Sequence, residues 1–150
     1  MSKYYSEKII IYTDGGSRGN PGPAAIGVVI QDEKERTIKK YGEAVGHRTN
    51  NEAEYEAVIF ALKKVKQLFG GEKVKKMQIE FRMDSELVTK QLNNEYKIEE
   101  EKLIPLFIKI HNLRMDFGET VFKYIQRGKN KEADRLLNEA LDEGGQKKLL

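Results

Sequence analysis

The sequence predicts an α/β fold in which a mixed β-sheet carries helices on its faces. Three observations predict it. Apolar residues recur with a period of about 2 in some stretches and about 3.6 in others. The two kinds of stretch follow one another in the order β-β-β-α-β-α-α-β-α, which suits helices packed on a sheet. Two of the strand-like runs, furthermore, stop at an aspartate, Asp14 and Asp84.

The elements follow in order. Residues 9–12 (IIIY) are apolar and β-branched, as a buried strand requires, and a turn rich in Gly15, Gly16, Gly19, Pro21 and Gly22 follows Asp14. Residues 24–32 read as a second strand, 31–36 as a polar hairpin connection, and 37–44 as a third strand. Residues 46–49 form a loop from which Thr49 or Asn50 caps a helix over 51–69. That helix has an apolar stripe of Ala57, Val58, Ala61, Leu62, Val65, Leu68 and Phe69, and Glu54 lies on it, whereas Glu52 and Glu56 point away. Gly70-Gly71 ends the helix. Residues 77–83 alternate as a fourth strand, and 86–92 form a short helix with Leu87, Val88 and Gln91 inward. The polar, acidic link at 93–101 leads to a helix ending near Asp116, where Pro105 is tolerated in the first turn. Leu103, Leu106, Phe107, Ile110 and Leu113 give that helix its core face. Residues 119–126 make a fifth strand, 127–130 a loop, and 131–142 a last helix with Ala133, Leu137, Ala140, Leu141 and Asp134 facing in. Residues 1–7 and 144–150 read as loose ends of a single domain spanning 1–150.

A chain of 150 residues is long enough to bury one sizeable core. No run reaches membrane-span length, the start MSKYYSEK lacks a signal peptide's apolar segment, and there is no cysteine for disulfides or thiolate metal sites. A cytoplasmic monomer is expected. The net charge of +3 permits a nucleic-acid partner without arguing for one. A dinucleotide fold is excluded, because a G-x-G-x-x-G match would need glycine where Asp14 stands and a strand, not a helix, follows the turn.

The inward acids carry the functional argument. Alone, Asp14 is equally well a turn cap, Glu54 a partner for some lysine, and Asp134 a complement to its helix N-terminus. Together they point elsewhere. If strands one and four are parallel neighbours, Asp14 and Asp84 emerge at one sheet edge on strands roughly 4.8 Å apart, and Glu54 and Asp134 can converge there from first helical turns. Such a cluster destabilises the fold unless it is neutralised. Oxygen ligands without His or Cys select hard cations, Mg²⁺ first and Mn²⁺ next. Two such ions, roughly 3.5–4 Å apart, suit in-line phosphoryl displacement.

Four motifs make the pattern specific: TDGGSRGNPGP (13–23), TNNEAEYEA (49–57), MDSELVTKQLN (83–93) and NKEADRLLNEAL (130–141). In this order they resemble the type 1 ribonuclease H family over nearly the whole chain. The resemblance implies a five-stranded sheet of order 3-2-1-4-5 with strand two antiparallel. It also implies Mg²⁺-dependent cleavage of the RNA strand of RNA/DNA hybrids, giving 5′-phosphate and 3′-hydroxyl ends. Asp14, Glu54, Asp84 and Asp134 match the family's metal-binding acids. Substrate contacts carry over to Asn20, Asn50, Asn51 and Ser85, with Gly15 and its neighbours letting backbone amides approach the strand. An asparagine amide both donates and accepts, as recognition of a 2′-hydroxyl requires, although Asn50 and Asn51 also suit helix caps.

The sequence departs from the family pattern in three places. Many relatives carry a histidine before the last acid, where this chain has QRGKNKEAD; His47 and His111 lie elsewhere. The resemblance lets Arg127 stand in as a charge-stabilising catalytic residue, though it cannot act as a base near neutral pH and serves equally as a phosphate-neutralising surface residue. Glu86 occupies a position that is often glutamine, and residues 93–101 replace a basic protrusion with a short acidic link. Weak, salt-sensitive hybrid binding is the expectation.

Overall fold

The computed structural model describes Tyr5 and residues 7–149, the last five of these in backbone only. Its strands are β1 (Glu7–Ser17), β2 (Gly22–Asp32), β3 (Thr37–Arg48), β4 (Met77–Met83) and β5 (Glu119–Tyr124). Its helices are α1 (Asn50–Phe69), α2 (Gly71–Val74), α3 (Glu86–Leu92), α4 (Leu103–Arg114) and α5 (Lys131–Leu149), with a 3₁₀ turn at Arg127–Lys129. The sheet order is β3-β2-β1-β4-β5. Strand β2 runs antiparallel to both neighbours, and β1, β4 and β5 are parallel. This is the topology the sequence implied.

Side-chain alternation divides the sheet into two faces. Ile9, Ile11, Ile79, Phe81 and Met83 point to one side and pack with Tyr55, Val58, Leu62 and Val65 of α1 in the main core. On the other side, Ala25 meets Leu137, Ala140 and Leu141 of α5. Thr49 caps α1 with a reciprocal pair of hydrogen bonds: its hydroxyl accepts from the Glu52 N–H, and its own N–H donates to the Glu52 carboxylate. Such a box contributes about 1 kcal/mol to fixing where a helix begins.

Several boundaries differ from those predicted. Strand β1 does not stop at Asp14; it continues to Ser17 because β2 pairs with it as far as Ala24, whereas its parallel pairing with β4 ends at Thr13 opposite Met83. Strand β3 likewise runs on through the predicted loop to Arg48, held by β2. Helix α2 is an additional single turn after α1. Helix α5 passes the predicted end near Asp142 and reaches Leu149, so residues 144–149 are helical. Two glycines cost such a helix about 1 kcal/mol each, and the helix formers Gln146, Lys147 and Lys148 that follow favour its continuation. Of the predicted loose ends, residues 1–4, 6 and 150 lie outside the described residues, and Glu7 opens β1. Leu68 and Leu87, predicted inward, are about two-fifths exposed at 40% and 39%. His111 is exposed on α4.

Candidate active site

The acids meet where the parallel part of the sheet ends. Thr13 pairs with Met83, so Asp14 and Asp84 are the next residues along two adjacent parallel strands and leave the sheet on the same face. Glu54 reaches them from the first turns of α1, and this depends on Gly15. A Cβ at Gly15 would lie 2.3 Å from the Ala53 carbonyl carbon and 2.5 Å from the Glu54 nitrogen, so only glycine admits the helix this close. A second glycine does the same for α5. Gly27, opposite Asp14 in the β1–β2 register, would place a Cβ 1.9 Å from the Ala133 carbonyl oxygen, one residue before Asp134.

Carboxylate oxygens of Asp14, Glu54 and Asp84 lie within 4.8 Å of one another. Asp14 and Glu54 are buried and Asp84 is half-buried. Burial, then the negative charge of Asp84, pushes Asp14 up to about 7. Burial and the Asp14 charge hold Glu54 well above the usual carboxylate range. Burial also raises Asp84, although the positive charge of Arg127 and a hydrogen bond from Asn130 restrain it. Among the described residues, the buried Oε2 atom of Glu54 has no hydrogen-bond partner. A buried carboxylate oxygen without a donor is costly, and a divalent cation removes that cost together with the mutual repulsion. All the donors are oxygens, so the set fits a hard cation.

Asp134 departs from expectation. Its position on α5 is exposed, not inward, because Ala133 and Leu137 take up the face against the sheet. It nevertheless lines the same cleft of about 380 Å³ and acts electrostatically on both Asp14 and Asp84. It is a rim acid beside a buried trio.

The other predicted site residues gather around them. Gly15, Asn50, Asn51, Ser85 and Arg127 line the cleft. Asn20 stands beside it, its Oδ1 accepting from the Asn50 N–H at 2.9 Å. Ser85 caps α3, its Oγ accepting from the Val88 N–H at 3.2 Å. Arg127 is exposed at the start of the 3₁₀ turn. Glu86 is exposed and paired with Lys90 at 2.9 Å.

Two residues that matter here were not singled out from the sequence. Asn130 is 1% exposed and donates to the Thr13 carbonyl at 2.9 Å, while its own carbonyl accepts from the Asp134 N–H. It thus ties the strand before Asp14 to the helix that bears Asp134. An asparagine just before a helix is a capping signal that could have found it. Glu100, in the acidic link, accepts from the Asn51 amide at 2.6 Å; no local pattern announces that contact.

A sheet of this order with acids at the C-terminal edge of its parallel strands defines a reverse transcriptase-like domain, and a family model of that description matches residues 12–140. Within that class, the chain belongs to the type 1 ribonuclease H family. LC11-RNase H1, isolated from compost by a metagenomic approach, is 49% identical, with a TM-score of 0.85 over 92% of this chain and 98% of that one. That protein has also been solved in complex with an RNA/DNA hybrid. RNase H1 from the archaeon Halobacterium salinarum is 36% identical, with a TM-score of 0.83 over 91% of this chain and 98% of that one. The ribonuclease HI sequence of the same organism is 38% identical over 136 residues, 91% of this chain and 65% of its own length. A bifunctional protein of Mycobacterium tuberculosis is 35% identical over 140 residues, which are 93% of this chain and 37% of the relative. The chain therefore spans only part of the length of these last two relatives.

Proposed function

We propose that this chain is a ribonuclease H: a divalent-metal-dependent endoribonuclease that cuts the RNA strand of RNA/DNA hybrids. The observation that carries the reading is the clustering of buried Asp14 and Glu54 with half-buried Asp84, the Glu54 Oε2 having no hydrogen-bond partner among the described residues. Three carboxylates within 4.8 Å of one another in a low-dielectric cleft repel one another unless a cation neutralises them. The hybrid complex of LC11-RNase H1 supports the choice of substrate.

Asp14, Glu54 and Asp84 would hold the metal, with Asp134 completing the set from the rim. Two Mg²⁺ ions, or Mn²⁺ in their place, would supply Lewis-acid stabilisation of the attacking water and of the leaving oxygen. The bond that breaks joins phosphorus to the ribose 3′ oxygen, so the products carry 5′-phosphate and 3′-hydroxyl ends. Arg127 at the cleft mouth neutralises phosphate charge and, being permanently protonated, takes no proton. Asn20, Asn50, Asn51 and Ser85 bind the hybrid, and the Gly15–Gly16 backbone lets the strand come close. All four acids come from one chain, which suits a monomer acting as a single catalytic domain, and the absence of cysteine suits the cytoplasm.

Cleavage of an end-labelled hybrid in Mg²⁺ and in EDTA tests the reading, with duplex DNA, duplex RNA and single-stranded RNA run alongside. The expected result is Mg²⁺-dependent cutting confined to the RNA of the hybrid. Cutting that persists in EDTA, or single-stranded RNA cut as fast as hybrid, would refute it.

A further inference from the structure

Asn50 and Asn51 in the cleft and Asn20 beside it are not equivalent, because each has one end of its amide already committed. The Asn50 Oδ1 accepts from the Ser17 N–H at 2.9 Å. The Asn20 Oδ1 accepts from the Asn50 N–H at 2.9 Å. Both therefore turn an NH₂ group outward. Asn51 is the reverse. Its Nδ2 donates to the Glu100 carboxylate at 2.6 Å, and a carboxylate can only accept, so this pairing leaves the Asn51 Oδ1 for a ligand. Among the described residues, Oδ1 of Asn51 makes no hydrogen bond.

The distinction matters for a hybrid. Phosphates, sugar ring oxygens and the minor-groove N3 and O2 atoms of bases are all acceptors, present in RNA and DNA alike. Outward NH₂ groups on Asn20 and Asn50 find partners on either strand. An outward carbonyl finds few donors there: the ribose 2′-hydroxyl, and the guanine amino group. We infer that Glu100 is a positioning residue that sets the Asn51 amide with its acceptor outward, making Asn51 the asparagine that reads ribose. The inference rests on the proposed hybrid substrate. The charge-assisted bond is strong enough to fix the amide against a flip, and it uses a residue of the acidic link that otherwise only repels phosphate.

Glu100 is exposed, so substitutions there leave the core intact. The test compares kcat/KM for an all-ribose hybrid with that for the same hybrid carrying one 2′-deoxynucleotide beside the cleaved bond. Asn51→Ala, Glu100→Ala and Glu100→Gln are measured in parallel. Removing the carboxylate charge should speed both substrates at low salt, equally in the two Glu100 variants. The ribose preference should fall about tenfold in Glu100→Ala, the worth of one hydrogen bond. Glu100→Gln, which keeps an acceptor for Nδ2, should retain most of it. A preference unchanged in Glu100→Ala but lost in Asn51→Ala would overturn the role of Glu100 while leaving Asn51 as a substrate contact. A preference unchanged in both would overturn the assignment of Asn51 itself. A loss that follows replacement of guanine by inosine, and not the 2′-deoxy substitution, would show that Asn51 reads a base amino group instead and would also overturn the inference.

Discussion

Gly15 lies against the backbone of Ala53 so closely that no side chain fits between them. This contact, between the residue after Asp14 and the residue before Glu54, fixes the distance between the two buried acids of the cleft. Gly15→Ala should destabilise the fold by about 1–3 kcal/mol through overpacking and reduce cleavage further, because the helix carrying Glu54 must shift. Gly16→Ala is the control: a Cβ there meets nothing nearer than 3.7 Å, and the melting temperature should be unchanged. Equal losses of stability in the two variants would contradict this account of Gly15.

The acids give the metal-free protein an unusual pH dependence. In the folded chain Asp14 holds its proton up to about pH 7, against an ordinary value of 3.8. The folded state then binds more protons than the unfolded one between these values, so stability falls as pH rises through that window. Glu80 acts in the opposite sense. Burial raises it, but hydrogen bonds from Arg82, Lys8 and Lys123 outweigh that and hold it at about 2 against an ordinary 4.5. Its contribution is present above 4.5 and is lost as pH falls through about 2. Melting temperature in EDTA should therefore peak in mildly acidic solution and decline toward pH 8.

Mg²⁺ should abolish the alkaline side of that decline. At a concentration near 100 times its dissociation constant, a ligand specific to the folded state adds about 2.7 kcal/mol, or roughly 5–10 °C in a domain of this size. A melting temperature at pH 8 that does not respond to Mg²⁺ would contradict a shared cation site.

Arg127 is expected to neutralise one phosphate. Arg127→Ala should weaken hybrid binding and lower the slope of log affinity against log salt by about one. Removing its positive charge from the side of Asp84 should at the same time tighten Mg²⁺ binding. Titrations of hybrid at several salt concentrations, and of Mg²⁺ by calorimetry, measure the two effects separately.

Much of this was legible in the sequence, for identifiable reasons. Strand β4 and helix α3 begin and end where alternation and the Ser85 cap place them, because local pattern and tertiary packing agree. The trio was legible because Asp14 and Asp84 terminate apolar runs and Glu54 shares the apolar stripe of α1. The continuation of β1 through Gly15 and Gly16 was not, since glycines signal a turn locally, and only the backbone of β2 supplies the ladder that keeps them extended. The exposure of Asp134 escaped notice because helical spacing gives a face but not the width of what covers it. The pairing of Glu100 with Asn51, 49 positions apart, depends on how an irregular link folds back, which periodicity cannot express.

The most direct measurement is the rate of hybrid cleavage against Mg²⁺ concentration for the unmodified chain and for Asp14→Asn, which keeps the side chain's shape but removes its charge. Losing a ligand that organises the cation should remove several kcal/mol of transition-state stabilisation, a fall of about a thousandfold or more, at every Mg²⁺ concentration and with the melting temperature in EDTA unchanged or raised. Asp14→Asn cleaving at the rate of the unmodified chain would contradict the account.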